Sequence, residues 1–174
     1  FDPVHIGHLT IAQDAVEQLE LDRLIFVPAA VPPHKQNRVL TEGCHRFEML
    51  RLATESNLRF EVSDIELQRG GISYTFDTMM QVRTEHPDAV LFFIVGLDSL
   101  VGLHLWHKVN QLLELCTVVP FARGGEDPAQ IAPKIQLPEG WESRLMARVI
   151  RIHELEISSS EIRMRLAEGL SIRY

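Results

Sequence analysis

Residues 1–28, FDPVHIGHLTIAQDAVEQLELDRLIFVP, carry the pattern that decides the fold. A proline turn opens onto a helix predicted over His8 to Glu20, because Leu9, Ala12, Val16 and Leu19 recur on one stripe at helical spacing. Leu24-Ile25-Phe26-Val27 follows as an unbroken apolar run, and Pro28 ends it. A strand covered on both faces reads this way, since a parallel sheet packed between helices has no wet side. An amphipathic helix followed at once by a buried strand points to an α/β domain with a parallel sheet.

The same alternation continues outward. Pro32-Pro33 marks a loop, and Arg46 to Glu55 then places Phe47, Leu50 and Ala53 on one helical face. Arg59 to Leu67 reads as a strand broken by Gly70-Gly71, and Thr75 to Glu85 as a helix with Phe76, Met79, Met80 and Val82 inward. Ala89 to Val95 is the strongest strand, ended by Gly96. A helix closing at Leu112 to Leu115 leads into a strand over Thr117 to Phe121. Arg123 to Pro138, rich in Gly and Pro, reads as a surface excursion. A helix over Trp141 to Ala147, a strand over Val149 to His153 and a helix over Ser159 to Glu168 follow, with Gly169 at the place of a helix C-terminal glycine.

Bulk properties narrow the function classes. A length of 174 residues fits a single domain, 1–174, and a chain of that size buries roughly 68–70% of its unfolded surface. No apolar run approaches the ~20 residues that cross a bilayer, so no membrane partner is expected. The net charge of −7 speaks against the broad basic face that nucleic acids need, but not against one small anion held by local donors. Cys44 and Cys116 form no CxxC pair and read as thiols in a reducing compartment, which suggests a cytoplasmic protein. The chain opens at Phe1 without a Met, so the lack of a visible secretory signal says little about targeting. Whether it acts alone or as a homo-oligomer stays open.

In open α/β sheets ligands bind past the carboxyl ends of the strands, here residues 1–8, 28–35, 70–75, 96–106 and 121–123. Polar and glycine residues gather in these segments. In Asp2-Pro3-Val4-His5-Ile6-Gly7-His8, Pro3 stiffens the entry and Gly7 admits a close backbone approach. His5 and His8 bracket that glycine at a helix start, where free N–H groups and the dipole already favour an anion. Two imidazoles there suit phosphate oxygens and the charge that develops on them during transfer. A lone histidine near a cap would read as surface decoration; the His-x-Gly-His spacing weighs against that.

Near the other end, Ile157-Ser158-Ser159-Ser160-Glu161-Ile162-Arg163 offers Ser158 or Ser159 as an N-cap, with Arg163 reaching back toward the first turn. Hydroxyls, N–H groups and a guanidinium would converge on a second phosphate position. By itself this is an ordinary capped helix.

FDPVHIGHL resembles the phosphate-binding signature of the HxGH nucleotidyltransferase superfamily, and ISSSEIR resembles the ATP-binding motif that follows it in the adenylyltransferases. No lysine-rich KMSKS loop appears, as a synthetase would carry. Pro28-Ala29-Ala30-Val31-Pro32-Pro33-His34-Lys35, His45-Arg46-Phe47-Glu48-Met49-Leu50, Ser73-Tyr74-Thr75-Phe76-Asp77-Thr78, Val95-Gly96-Leu97-Asp98-Ser99-Leu100 and Trp106 follow in order. Together they resemble the bacterial-type nicotinate-nucleotide adenylyltransferase family along nearly the whole chain. Members carry a strand and a Gly-Gly-Ser or Gly-Gly-Thr turn before the Phe, so a first strand and part of the phosphate loop are expected to be missing here.

The resemblance implies a Rossmann-like, doubly wound parallel sheet in a three-layer α/β/α arrangement. It implies AMP transfer from ATP, with Mg²⁺ on the polyphosphate, to nicotinate mononucleotide. On that reading His5, His8, Lys35 and Arg163 are catalytic. His5, Gly7, His8, Gly96, Asp98, Ile157, Ser158, Ser159 and Arg163 bind ATP, and His34, Lys35, Tyr74, Thr75 and Trp106 bind the mononucleotide. The residue types agree: an indole suits a pyridine ring, a helix start at Thr75 suits a carboxylate, and Asp98 suits a ribose hydroxyl. Leu97 is bulkier than the small residue expected there. The competing readings are an adenylyltransferase acting on nicotinamide mononucleotide or phosphopantetheine, and a catalytically idle nucleotide-binding module on the same fold.

Overall fold

The structure is a computed structural model that describes residues 1–33, 40–123, 125–153 and 155–173. It divides into two compact units, Phe1–Ser73 with Glu154–Tyr174, and Tyr74–His153.

In the first unit, α1 (Ile6–Gln18) precedes β1 (Leu24–Phe26), and α2 (Gly43–Thr54) precedes β2 (Phe60–Val62) and the short α3 (Ile65–Arg69); α8 (Ser159–Ala167) joins from the far end of the chain. β1 and β2 run parallel, with Leu24, Ile25 and Phe26 opposite Phe60, Glu61 and Val62. Ala12, Phe26 and Leu50 are buried together, with Leu9, Leu24, Phe60 and Val62 packed against them. That cluster takes one residue from each of α1, β1 and α2, which is how a parallel strand loses its wet face.

Two expectations are corrected in this unit. The stretch Arg59 to Leu67 is not one strand: pairing stops at Val62 and α3 begins at Ile65. Asp64 stands at the N-cap position, and the Gln68 N–H donates to its carbonyl at 2.9 Å. That main-chain bond closes a helical turn, and the Gln68 side chain adds a second i,i+4 link by donating from Nε2 to Asp64 Oδ1 at 2.8 Å. The helix predicted from Arg46 instead starts at Gly43 and buries Arg46, Leu50 and Thr54.

In the second unit, α4 (Thr75–Glu85) leads to β3 (Phe92–Gly96), a 3-10 helix over Leu97–Leu105, α5 (Val109–Leu115) and β4 (Thr117–Ala122). α6 (Pro128–Ile131), a 3-10 turn over Ala132–Lys134, α7 (Trp141–Met146) and β5 (Ile150–Arg151) complete it. The sheet order is β3-β4-β5, all parallel, with Phe92 opposite Thr117, Gly96 opposite Phe121, and Phe121 opposite Ile150. In α4 the inward residues are Thr78, Met79 and Val82, whereas Met80 is exposed, contrary to the helical stripe read from sequence.

The 3-10 helix had no counterpart among the predicted elements. Its apolar spacing explains it: Leu97, Leu100 and Leu103 are all fully buried. A helix with three residues per turn brings positions i, i+3 and i+6 into line, so these leucines form one edge driven into the core. Leu97 is thereby a core residue, which accounts for its size.

Candidate active site

The N-terminal loop enters α1 through His5, whose extended backbone makes it the N-cap residue. The His5 N–H donates to His8 Nδ1 at 3.3 Å. An accepting Nδ1 carries no proton, so in neutral His8 the proton lies on Nε2, which makes that nitrogen a donor. The two imidazoles lie against each other with ring centroids 3.8 Å apart, and Phe1 meets His8 edge-on at 4.9 Å. Phe1 also packs against Phe26 of β1, tying the histidine pair to the core.

Gly7 is buried, and a side chain there would bring a Cβ to 3.1 Å from both Cε1 and Nδ1 of His5. The glycine therefore makes room for a histidine ring, a role its sequence position alone did not suggest.

From the other end of the chain, α8 grips this loop. Ser158 is its N-cap, accepting from the Glu161 N–H at 3.1 Å. Ser159 Oγ donates to the Pro3 carbonyl at 2.9 Å. The Arg163 guanidinium donates to the Asp2 carbonyl and to Ser160 Oγ, and lies 4.0 Å from the Asp2 carboxylate. The structure thus brings His5, Gly7, His8, Ser158, Ser159 and Arg163 together around one loop; Ile157 directly precedes Ser158 and is exposed. Asp2, which the sequence reading quoted without a role, is central to that knot. Its Oδ1 is buried with no hydrogen-bond partner among the described residues.

His34 and Lys35 lie outside the described residues. The loop that leads to them is tied to the SYT segment: Val31 bridges Ile72, the Ser73 N–H donates to the Val31 carbonyl at 2.9 Å, and buried Ser73 accepts at Oγ from the Ala30 N–H at 2.8 Å.

The remaining candidates belong to the second unit. Tyr74 is the N-cap residue of α4, Thr75 is its first residue, and the Thr78 N–H donates to the Tyr74 carbonyl at 3.2 Å. Tyr74 lies against His107 with centroids 4.4 Å apart, and Trp106 meets Phe93 of β3 edge-on at 5.9 Å. His107 was not singled out from sequence; the Trp106-His107 doublet beside an aromatic strand is the signal that could have found it. Gly96 ends β3, and a Cβ there would fall 2.6 Å from Asp98 Oδ1, so the Asp98 carboxylate folds back over the glycine. Asp98 is exposed and accepts from Ser99 Oγ at 3.4 Å.

A parallel α/β fold that opens a helix with His-x-Gly-His, and secures the preceding loop from a distant serine-rich helix, is the build of a nucleotidyltransferase. The sequence profile of the cytidylyltransferase-like family matches residues 1–165. The chain is 44% identical to a probable nicotinate-nucleotide adenylyltransferase of Exiguobacterium sibiricum, an alignment covering 100% of this chain and 86% of that protein. It is 45% identical to another of that name from Opitutus terrae, over 100% of this chain and 85% of the relative. Among solved structures, Plasmodium falciparum nicotinic acid mononucleotide adenylyltransferase complexed with NaAD matches with a TM-score of 0.72 and 21% identity, over 99% of this chain and 82% of that one. At that identity the likeness concerns the fold, which is Rossmann-like α/β. The chain belongs to the cytidylyltransferase-like family and, within it, to the nicotinate-nucleotide adenylyltransferases.

Proposed function

We propose that the chain transfers AMP from ATP to nicotinate mononucleotide, giving nicotinate adenine dinucleotide and pyrophosphate on the way to NAD. The observation that carries this reading is the His5-x-Gly7-His8 helix start secured by Ser159 and Arg163, in a chain whose relatives are named for the reaction.

A phosphate oxygen of the mononucleotide attacks the α-phosphorus of ATP in line. The new Pα–O bond forms as the bond from Pα to the β-phosphate oxygen breaks, and pyrophosphate leaves. Phosphate is already a competent nucleophile, so positioning and charge stabilisation suffice without a covalent enzyme intermediate. His8 acts through Nε2–H on the phosphate oxygens and His5 acts beside it, both aided by the positive end of the α1 dipole. Lys35 and Arg163 add positive charge, and Ser158, Ser159 and Ile157 form the adjoining wall. Gly96 and Asp98 serve the adenosine side. His34, Lys35, Tyr74, Thr75 and Trp106 serve the mononucleotide, with the indole against the pyridine ring and the α4 start donating to the carboxylate.

ATP enters with Mg²⁺. The residues suit a hard dication: Asp2 presents a buried carboxylate oxygen without a hydrogen-bond partner among the described residues, and such ions prefer oxygen donors shared with phosphates and water. Once bound, the ion neutralises charge on the triphosphate. A cytoplasmic setting agrees with two free cysteines, and no helix among the described residues is long and apolar enough to cross a membrane.

The test is pyrophosphate release from Mg-ATP, with nicotinate mononucleotide, nicotinamide mononucleotide and phosphopantetheine offered separately and His8→Ala as control. Release with the nicotinate form, lost in the control, is expected. A preference for phosphopantetheine would overturn the roles given to Tyr74, Thr75 and Trp106. Silence with all three, alongside ATP binding by calorimetry, would indicate an idle nucleotide-binding module.

A further inference from the structure

We propose that Glu42, Cys44 and His45 form a zinc site at the start of α2, built from residues that the transfer reaction does not use. One ligand atom from each lies within 4.8 Å of the others, and all three side chains are exposed. Cys44 Sγ donates to Glu42 Oε2 at 3.7 Å. On a tetrahedral zinc, with sulfur at about 2.3 Å and oxygen at about 2.0–2.2 Å, two ligand atoms stand roughly 3.5 Å apart. The thiol and carboxylate are therefore already near ligand spacing, and the ion replaces the thiol proton, which goes to solvent.

The backbone beneath the site is held in place. A Cβ on Gly43 would fall 2.7 Å from Leu67 Cδ2, so this turn is pressed against α3 with no space between. Arg46, itself buried, donates from Nε to the Thr41 carbonyl at 2.8 Å. The N–H groups of His45 and Arg46 both donate to the Glu42 carbonyl at 3.1 Å. Only side-chain torsions remain to be ordered when an ion arrives, and that lowers the cost of forming the site.

The donor set chooses the metal. Thiolate, imidazole and carboxylate together suit zinc or cobalt(II), whereas Mg²⁺ prefers oxygen alone and keeps its waters. Three protein ligands leave the fourth tetrahedral position to water. Cys116 is buried in the other unit and supplies no competing exposed thiol.

The experiment titrates the full chain, free of any histidine tag, with Co²⁺ alone and then adds Zn²⁺. One equivalent of Co²⁺ should bind with thiolate-to-cobalt charge-transfer absorption in the near ultraviolet, and Zn²⁺ should bleach it. Cys44→Ser should abolish that band. Glu42→Gln and His45→Ala should each weaken binding by at least ~10-fold, since losses even outside the first ligand sphere act on that scale. Because these side chains are exposed, the variants probe ligation and leave folding alone. A double variant His5→Ala/His8→Ala should keep the band, which separates this site from the phosphate-binding imidazoles. No saturable Co²⁺ binding, a band that survives Cys44→Ser, or a band lost in the His5/His8 variant would each overturn the proposal.

Discussion

Hydrogen bonds to main-chain atoms assemble the candidate residues of the first unit, and side-chain packing positions those of the second. Around His5 and His8, Ser159 and Arg163 of α8 reach the carbonyls of Pro3 and Asp2, and the His8 imidazole accepts from the His5 backbone N–H. In the second unit Trp106 leans edge-on against Phe93, Tyr74 lies against His107, and Asp98 folds over Gly96 beside a core edge of Leu97, Leu100 and Leu103. The difference follows from the job each part is given. Phosphate recognition needs donors fixed in direction, and hydrogen-bonded main chain fixes them. A pyridine ring needs a flat apolar surface, and packing provides it without demanding direction.

The largest expected effect tests the directional side. His8→Ala should lower turnover by ~10²–10³-fold in the pyrophosphate assay, the usual loss for one preorganised charge-stabilising donor. Unchanged turnover would mean that the His-x-Gly-His start is not where the phosphates react. Next comes Gly7→Ala, which forces the His5 ring away from a 3.1 Å contact. Turnover should fall by ~10–10²-fold, as small misplacements of reacting groups do, while the melting temperature stays close to that of the parent. A variant that melts early would assign Gly7 to folding instead.

On the packing side, Trp106→Ala should raise the Michaelis constant for nicotinate mononucleotide about tenfold with turnover changed far less, since an aromatic contact contributes about 0.5–1.5 kcal/mol beyond area. An unaltered constant would remove the stacking role. Gly96→Ala should raise the Michaelis constant for ATP several-fold, because the added carbon meets Asp98 Oδ1 at 2.6 Å and the carboxylate must swing away.

The smallest effect sets one cysteine of each unit against the other. Burial pushes the Cys116 thiol up to about 11, with the nearby Arg83 charge opposing the rise, and its S–H points to the Leu112 carbonyl at 3.4 Å. Iodoacetamide at about pH 8 should therefore modify exposed Cys44 and spare Cys116 until the chain unfolds. A raised folded value means that this thiol's contribution to stability is whole below its ordinary value of 9.0 and is lost as pH rises toward about 11. Equal labelling of both cysteines in the folded chain would contradict the burial.

Much of this molecule was legible locally. The α/β class, the span of α4 and the run of β4 could be read because apolar periodicity and glycine breaks act over a few residues. Misreadings arose where two local signals competed. Arg59 to Leu67 reads as one strand from its apolar residues, whereas pairing ends at Val62 and the main-chain and side-chain links from Gln68 to Asp64 close a helical turn. The Leu97–Leu105 segment gives no helical signal in the sequence because its period is three rather than 3.6. His107 and Asp2 escaped notice because their meaning lies in what they touch.

The amino-acid sequence by itself determined the order of helices and strands, the histidine pair flanking a glycine at a helix start, and the motifs that mark the family. Those features are set by backbone propensity, capping and periodicity, each acting within about one or two turns. Only the tertiary structure decided that Ser159 would reach the Pro3 carbonyl 156 residues away, and that the turn carrying Glu42, Cys44 and His45 would be pressed on Leu67. Contacts of that kind depend on how distant segments pack, and no local pattern encodes them.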